Sequence, residues 1–399
     1  MWYRLGSGVV ILAGAVAALV TGLFVYMNAT ATPIHVDPAG IPSVAGAASA
    51  PVWGNAVAQG RQMVRAGLTA QNLPGVSVAV GAGGHIAWAE GFGYADLESR
   101  ATVTPDTLFR VGDASVTLTS AAVGLLLETR RLNLDHDIQE YVPEFPDKQW
   151  PVTLRQLMAH VAGVRDDAGD EEPISQHCEK TLDGLRRFAA RPLLFEPDTR
   201  FRRSSYGWIL VSAAVEAAAK TPFSGFMRTQ IFDPLGMAAT TADSASESIP
   251  DRATFYFPRF AGDPRYGPEL VRQGDYSCFS GANGFLSTPS DLVRFGMAVS
   301  QGRLLHAETV ETLLTPQRLS SGDETGYGLG WKIQAVEANS KPIRAAGYSS
   351  KRNFIGGAAS FLVLPEQGIV VAIMSNESFA DTASLATKIA QVFAVLSEA

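Results

Sequence analysis

Cysteine is nearly absent from this chain, with only Cys178 and Cys278 among 399 residues. Two thiols exclude the disulfide framework that staples small secreted domains. One bridge stays conceivable in an oxidising compartment. The unpaired state is the expectation, because sequence alone does not bring two distant Cα atoms within bridging reach. Basic residues form no block: 32 Lys and Arg stand against 39 Asp and Glu, a formal charge of −7, which argues against a nucleic-acid partner. The six histidines show no His-x-x-x-His spacing and His177-Cys178 is an isolated pair, so no metal and no cofactor is expected. The acidic run Asp166-Asp167-Ala-Gly-Asp170-Glu171-Glu172 reads as a solvated loop rather than a calcium site.

What the chain does have is a long uncharged apolar run near its start. Gly8 to Met27 carries no charge over twenty residues, about the length that crosses a bilayer core as a helix. Arg4 precedes it and no Lys or Arg follows before Arg61, which predicts residues 1–7 in the cytoplasm and the remainder exported. Trp2, Tyr3 and Tyr26 stand where interfacial aromatics are expected. A cleaved signal peptide is the competing reading, since Ala29-Thr30-Ala31 has an A-x-A shape. The apolar run is longer than the usual h-region of ~7–15 residues, which favours an anchor at 8–27. The expected location is therefore an inner membrane, with the main domain periplasmic.

Residues 28–51 are rich in Ala, Pro, Gly, Ser and Thr without periodicity, and predict a flexible linker before a domain at 52–399. Helical spacing of Val57, Met63, Val64 and Leu68 predicts an amphipathic helix over Val52–Leu73. Gly75–Gly81 and His85–Gly93 around Ala82-Gly83-Gly84 predict a hairpin. Tyr327–Ile333, Ala358–Pro365 and Gly368–Ser375 read as strands, and Thr382–Leu396 as a closing helix. Strands at both ends with a mainly helical middle, about 115 to 310, predict an α+β fold.

Several segments, taken in order, resemble the penicillin-binding and class C β-lactamase-like group. They include Thr107-Leu-Phe-Arg-Val-Gly-Asp113-Ala-Ser115-Val116, Leu132-Asn-Leu-Asp-His-Asp-Ile-Gln-Glu-Tyr-Val-Pro and Thr153-Leu-Arg-Gln-Leu-Met-Ala-His160-Val-Ala-Gly163. Ile231-Phe-Asp-Pro-Leu-Gly-Met237 also fits. Gly284-Phe-Leu-Ser-Thr-Pro-Ser-Asp-Leu-Val-Arg-Phe-Gly296 and Gly356-Gly-Ala-Ala-Ser-Phe-Leu-Val-Leu-Pro365 are most similar to the LACTB-type serine β-lactamase-like proteins. The resemblance implies an antiparallel β-sheet flanked by helices plus a mainly helical subdomain, with the site between them.

It also implies a serine nucleophile at a helix N-terminus, a lysine three residues on, a relay tyrosine, and a Lys/His-Thr/Ser-Gly strand. This chain departs at each position. The serine falls on Asp113, the lysine on Val116, and the tyrosine on Arg203 in Phe201-Arg-Arg-Ser204-Ser205-Tyr206-Gly-Trp208. The histidine of the strand falls on Tyr348 in one register and on Ser350 in the other. None of the seven lysines has serine three residues before it. A carboxylate is a weak nucleophile, Val116 cannot carry a proton, and a guanidinium cannot act as a base. Ser115, two residues after Asp113, points roughly 200° around a helix of 3.6 residues per turn, and reads as structural. His160 also reads as structural.

The substitutions at the degenerate positions, Asp113, Val116, Arg203, Ser205 and Ser350, suggest one exchange of charge. A negative group arrives at 113, and a positive one is lost at 116 and regained at 203. An Asp113–Arg203 ion pair is expected, because a desolvated carboxylate needs such a partner. The functional expectation is a catalytically inactive family member, a binding or assembly module. Its partners would be the membrane, through the N-terminal helix, and a peptide, cell-envelope or protein ligand in the cleft. Self-assembly is possible by analogy with the LACTB-type relatives. The alternative is an active serine hydrolase (esterase, peptidase or β-lactamase-like) using Ser205, Ser349 or Ser350.

Overall fold

The computed structural model describes residues 2–46, 50–166, 177–244, 249–260, 262–271, 274–349 and 356–397, with side chains placed from residue 12 to 396 within them. In chain order the elements begin with α1 (Trp2–Thr30), β1 (Ser43–Ala45), α2 (Gly54–Gln71), β2 (Gly75–Ala82) and β3 (His85–Gly93). The middle holds β4 (Phe109–Arg110), α3 (Ser115–Glu128), α4 (Leu154–Met158), α5 (Ser205–Ala219) and α6 (Phe223–Met227). Next come β5 (Thr241–Ala242), β6 (Tyr256–Pro258), β7 (Pro268–Leu270), β8 (Phe285–Ser287), α7 (Pro289–Ser300) and α8 (Ala307–Leu314). The chain then returns through β9 (Lys332–Ala338), β10 (Lys341–Ser349), β11 (Ala358–Leu364), β12 (Ile369–Ser375) and α9 (Thr382–Ser397).

The main sheet has seven antiparallel strands in the order β1-β3-β2-β12-β11-β10-β9. The expected hairpin is β2–β3, turned by Gly83 and Gly84, both at positive φ. The β2–β12 pairing joins the two ends of the chain. Along β12, Ile369, Val371 and Ile373 pack into one core with α2 and α9, while Val370, Ala372 and Met374 enter the other, beneath α7 and the helical half. Strict alternation with both faces covered explains why the strand reads as an unbroken apolar run.

Three expectations need correction. The helix expected over Val52–Leu73 is shorter, and ends at Asn72 in the left-handed conformation (φ 55°). The strand expected at Tyr327–Ile333 begins only at Lys332. Gly326 and Gly330 both hold positive φ before it, and Gly330 lies so close to Trp208 that a Cβ would meet the indole at 2.6 Å. The third concerns the two cysteines. Cys178 and Cys278 are joined as a disulfide with Cα atoms 4.9 Å apart. Hydrogen bonds between His177 and Asp275 (2.9 Å) and from the Cys178 amide to Ser277 Oγ (2.9 Å) bring the two segments together there.

The stretch expected to be a loose linker also differs. Within residues 28–46, Ile41 is buried, His35 is buried and stacks on Tyr94 (5.6 Å), and β1 pairs with the edge of β3. Composition suggested slack, but unpaired backbone groups on β3 offer a template that even a short strand can use. The helix α1 is long and apolar enough to cross a membrane over Leu12–Thr30, and none of that stretch is buried in the protein.

One of the buried carboxyls outside the cleft has no cation beside it. Glu377, just beyond β12, is fully buried and neither carboxylate oxygen has a hydrogen-bond partner among the described residues. Burial pushes its pKa up to about 9 from an ordinary value of 4.5. The folded state therefore holds this proton more tightly than the unfolded chain. The stability contribution is complete below about pH 4.5 and is lost progressively as pH rises toward 9. Glu377→Gln is expected to flatten that decline. Denaturant titrations from pH 5 to 9 check it, and an unchanged slope would show that another group controls the dependence.

Candidate functional site

The turn Val111-Gly112-Asp113 carries the chain from β4 to α3. Gly112 takes φ +56°, and the buried Arg110–Asp243 pair (2.6 Å) locks the approach. Asp113 thus sits in the tight turn immediately before Ser115, where the helix begins. On the facing side, Ser204 caps α5: its Oγ accepts from Gly207 N at 3.0 Å and donates to the Arg165 carbonyl at 2.8 Å. That cap fixes Arg203 at the helix entrance. The third wall is β10, which presents Tyr348.

Arg203 Nη2 meets Asp113 Oδ2 at 2.5 Å, with side chains 31% and 14% exposed respectively. This is the ion pair expected from the charge exchange. The Tyr348 ring centre lies 4.9 Å from the Arg203 guanidinium carbon, within cation–π range. With its amide nitrogen turned toward the turn, Asn283 donates to Asp113 Oδ1 at 3.1 Å and to the Ala282 carbonyl at 2.6 Å. Burial works against the Arg203 charge, but the Asp113 carboxylate, together with Tyr348 and Tyr327, more than offsets it and leaves the pKa above its ordinary value. Arg203 is a fixed cation here.

His160, in the left-handed conformation (φ 61°), accepts from Ser204 N at Nδ1 (3.2 Å), leaving Nε2–H to donate to Tyr348 Oη at 3.3 Å. Burial, followed by the neighbouring Arg203, lowers its pKa to about 3, so the imidazole is neutral. Burial likewise pushes the Tyr348 phenol up. These groups enclose a cavity of about 100 Å³ lined by Asp113, Val116, Asp166, Arg203, Ser205 and Tyr348, among others. That is room for only a few waters.

The structure brings together Asp113, Val116, Arg203 and Ser205, and places Tyr348 in the wall of the same cavity. Ser350 lies outside the described residues, as does the acidic run beyond Asp166. Ser115 is fully buried, its hydroxyl lacks a partner among the described residues, and it does not line the cavity. Tyr206 stacks on Phe188 at 4.7 Å, so it is not a relay in a shifted register. Ser349 lines a neighbouring groove of about 430 Å³ on the other side of Arg203 and Tyr348. Among the described residues, neither Ser205 nor Ser349 hydrogen-bonds to a histidine, lysine or tyrosine. Sequence reasoning missed Asn283 and Asp166, whose Oδ1 accepts from Ser205 N at 2.9 Å. Asn283 directly precedes the recognised Gly284 segment, which was the available signal.

Replacing Arg203 with methionine leaves the mostly buried Asp113 without a cation, and is expected to cost about 2 kcal/mol, reduced from the fully buried case by residual exposure and the Asn283 hydrogen bond. Adding Asp113→Asn should restore most of it. Chemical denaturation of the two singles and the double gives the coupling, and additive losses would mean that the pair contributes nothing.

The beta-lactamase family model matches residues 61–394. The human mitochondrial protein described as serine beta-lactamase-like protein LACTB is 27% identical, across 80% of this chain and 76% of its own length. Penicillin-binding protein 4* of Bacillus subtilis is 27% identical over 66% of this chain and 61% of its own. Among solved structures, the octameric penicillin-binding protein homologue from Pyrococcus abyssi superposes with a TM-score of 0.70 at 21% identity, covering 83% of this chain and 76% of that one. The D-amino acid amidase from Ochrobactrum anthropi gives 0.69 at 21%, covering 86% and 98%.

Proposed function

From the premise that this chain belongs to the beta-lactamase family, we propose a membrane-anchored, extracytoplasmic member whose acyl-transfer machinery is disarmed and whose cleft serves binding or assembly. The observation that carries this reading is the 2.5 Å contact between Asp113 and Arg203. The two groups occupy the positions of nucleophile and relay base, and each compensates the other's charge. An ionised carboxylate bound to a guanidinium is a poor nucleophile, and a permanent cation cannot act as a general base. The ring nitrogens of the neutral His160 are taken by the Ser204 amide and Tyr348 Oη, and among the described residues neither bonds a serine hydroxyl.

Export is supported by the apolar helix and by the disulfide, which persists in oxidising compartments. Arg4 before the span and the absence of Lys or Arg until 61 favour an inner membrane, with the domain on the periplasmic side. The ligand class is a peptide, cell-envelope fragment or protein. Assembly is supported by the octameric state given for the Pyrococcus homologue. No covalent step at this site is part of the proposal.

The test uses the full chain in detergent, since residues 28–46 pack on the domain. Incubation with a fluorophosphonate, a fluorescent penicillin and p-nitrophenyl esters is expected to give no covalent adduct and no turnover above buffer. Labelling that disappears in Ser349→Ala, Ser350→Ala or Ser205→Ala would instead establish an active serine hydrolase.

A further inference from the structure

The segment joining the apolar helix to the sheet is pinned along its length. Asn72 Oδ1 accepts from Ile34 N at 2.7 Å, and its Nδ2 donates to the Thr32 carbonyl at 3.1 Å and the Arg265 carbonyl at 3.4 Å. His35 Nε2 lies 3.2 Å from the Pro74 carbonyl. Arg65 Nη1 donates to the carbonyls of Pro38 (2.9 Å), Ala39 (3.2 Å) and Ile41 (2.8 Å), and Nη2 to Ser43 Oγ at 3.0 Å. From there β1 joins the sheet edge. A chain fixed at this many points transmits the position of α1 to the whole domain.

The β6–β7 hairpin completes the arrangement. Arg259 Nη2 donates to the Thr30 carbonyl at 3.3 Å, and the Phe260 ring sits edge-on to Tyr26 with centroids 6.3 Å apart. Tyr26 lies four residues inside the end of α1, about 6 Å along a helix rising 1.5 Å per residue. Resting on the anchoring proposed above, a span ending near Met27 puts Tyr26 at the boundary between acyl chains and headgroups, where tyrosine is enriched. A group touching Tyr26 must lie at the same depth.

We infer that Arg259 and Phe260, at the end of β6 in the β6–β7 hairpin, rest in the headgroup layer of the bilayer, and that the strap over residues 31–46 holds the domain against the membrane in one orientation. The occupant of this surface is phospholipid. The phenyl ring meets the upper acyl chains, while Arg259, which has no acidic partner among the described residues, lies at the depth of the lipid phosphates.

The experiment uses the full chain reconstituted into phosphatidylcholine–phosphatidylglycerol vesicles carrying a headgroup nitroxide quencher. Both native cysteines are bonded to each other, so a bimane can be attached to Phe260→Cys or, as a control on the helical half, to Ser320→Cys. Quenching is expected to be several-fold stronger at 260 than at 320. Amide exchange over 259–267 in the unsubstituted protein, slower in vesicles than in detergent, gives the same answer without a substitution. Asn72→Gly keeps the left-handed cap of α2 but deletes the side-chain bonds to the strap. It should lower the contrast between the two labels while α1 stays in the membrane through alkaline carbonate extraction. Equal quenching at the two sites with α1 retained, or unchanged exchange over 259–267, overturns the docked orientation and leaves the anchor standing. An unchanged contrast in Asn72→Gly removes the role given to the strap. Release of the full chain by carbonate overturns both the anchor and the orientation.

Discussion

Reduction of the Cys178–Cys278 bridge, or its replacement by paired serines, is expected to lower the unfolding free energy by about 4 kcal/mol. The bridge closes a loop with a sequence separation of 100, and chain-entropy arguments place a loop of that size at about 4.7 kcal/mol, with measured losses of native bridges usually 2–5. Both half-cystines are buried, at 8% and 1% exposure, so a reductant acts slowly on the native state and the serine variants give the cleaner measurement. The consequence should also reach the cleft. Cys278 sits in the short turn Ser277–Phe279, and backbone bonds from Ala282 to Phe279 and from Gly284 to Ser280 carry that turn directly to Asn283. Asn283 holds Asp113 Oδ1. Denaturant unfolding of the wild type and the double-serine variant decides the point. A loss well under 1 kcal/mol would mean that the His177–Asp275 contact and the surrounding packing hold the segments without the covalent link.

The bridge was also the least legible feature of the sequence. Two cysteines so far apart carry no pairing signal, because the Cα approach that permits a bond is a property of the finished fold. The same limit hid Asn283 and Asp166, whose contacts with Asp113 and Ser205 join segments distant in the chain. Features governed by local pattern were readable: the apolar strand at Ile369–Ser375, the hairpin at Gly83-Gly84 and the closing helix from Thr382 all stand where the pattern put them. The Asp113–Arg203 pair was readable for a different reason. Two substitutions of opposite sign at positions that the family resemblance brings together need no geometry to be linked, only the cost of leaving either charge alone. The strap over 31–46 was misjudged, because small and turn-forming residues also suit a segment that lies along a sheet edge. Its ordering depends on Asn72 and Arg65, which stand outside it.

Restoring the family residues together, Asp113→Ser, Val116→Lys and Arg203→Tyr, is expected to produce covalent labelling by the fluorophosphonate where the wild type gives none. The backbone already has the necessary arrangement. Position 113 ends a turn at the entrance of α3, 116 is one helical turn behind it and lines the same cavity, and 203 faces both from the start of α5. The changes must act as a unit. Asp113→Ser alone leaves Arg203 without its anion and supplies no base, so no labelling is expected from it. The charges at 113 and 203 cancel in this sequence, with none at 116. In the triple variant the lysine at 116 leaves one net positive charge, a field that favours the ionised forms of serine and tyrosine. General-base assistance is worth ~10²–10⁴ in rate, and nucleophile and base lose most of their effect singly, so labelling by the triple variant should exceed that of Asp113→Ser by at least ~10². A triple variant that melts like the wild type yet remains unlabelled would move the defect to the third wall. There Tyr348, bonded to His160 and stacked on residue 203, would be the group that keeps an acyl donor from reaching the serine.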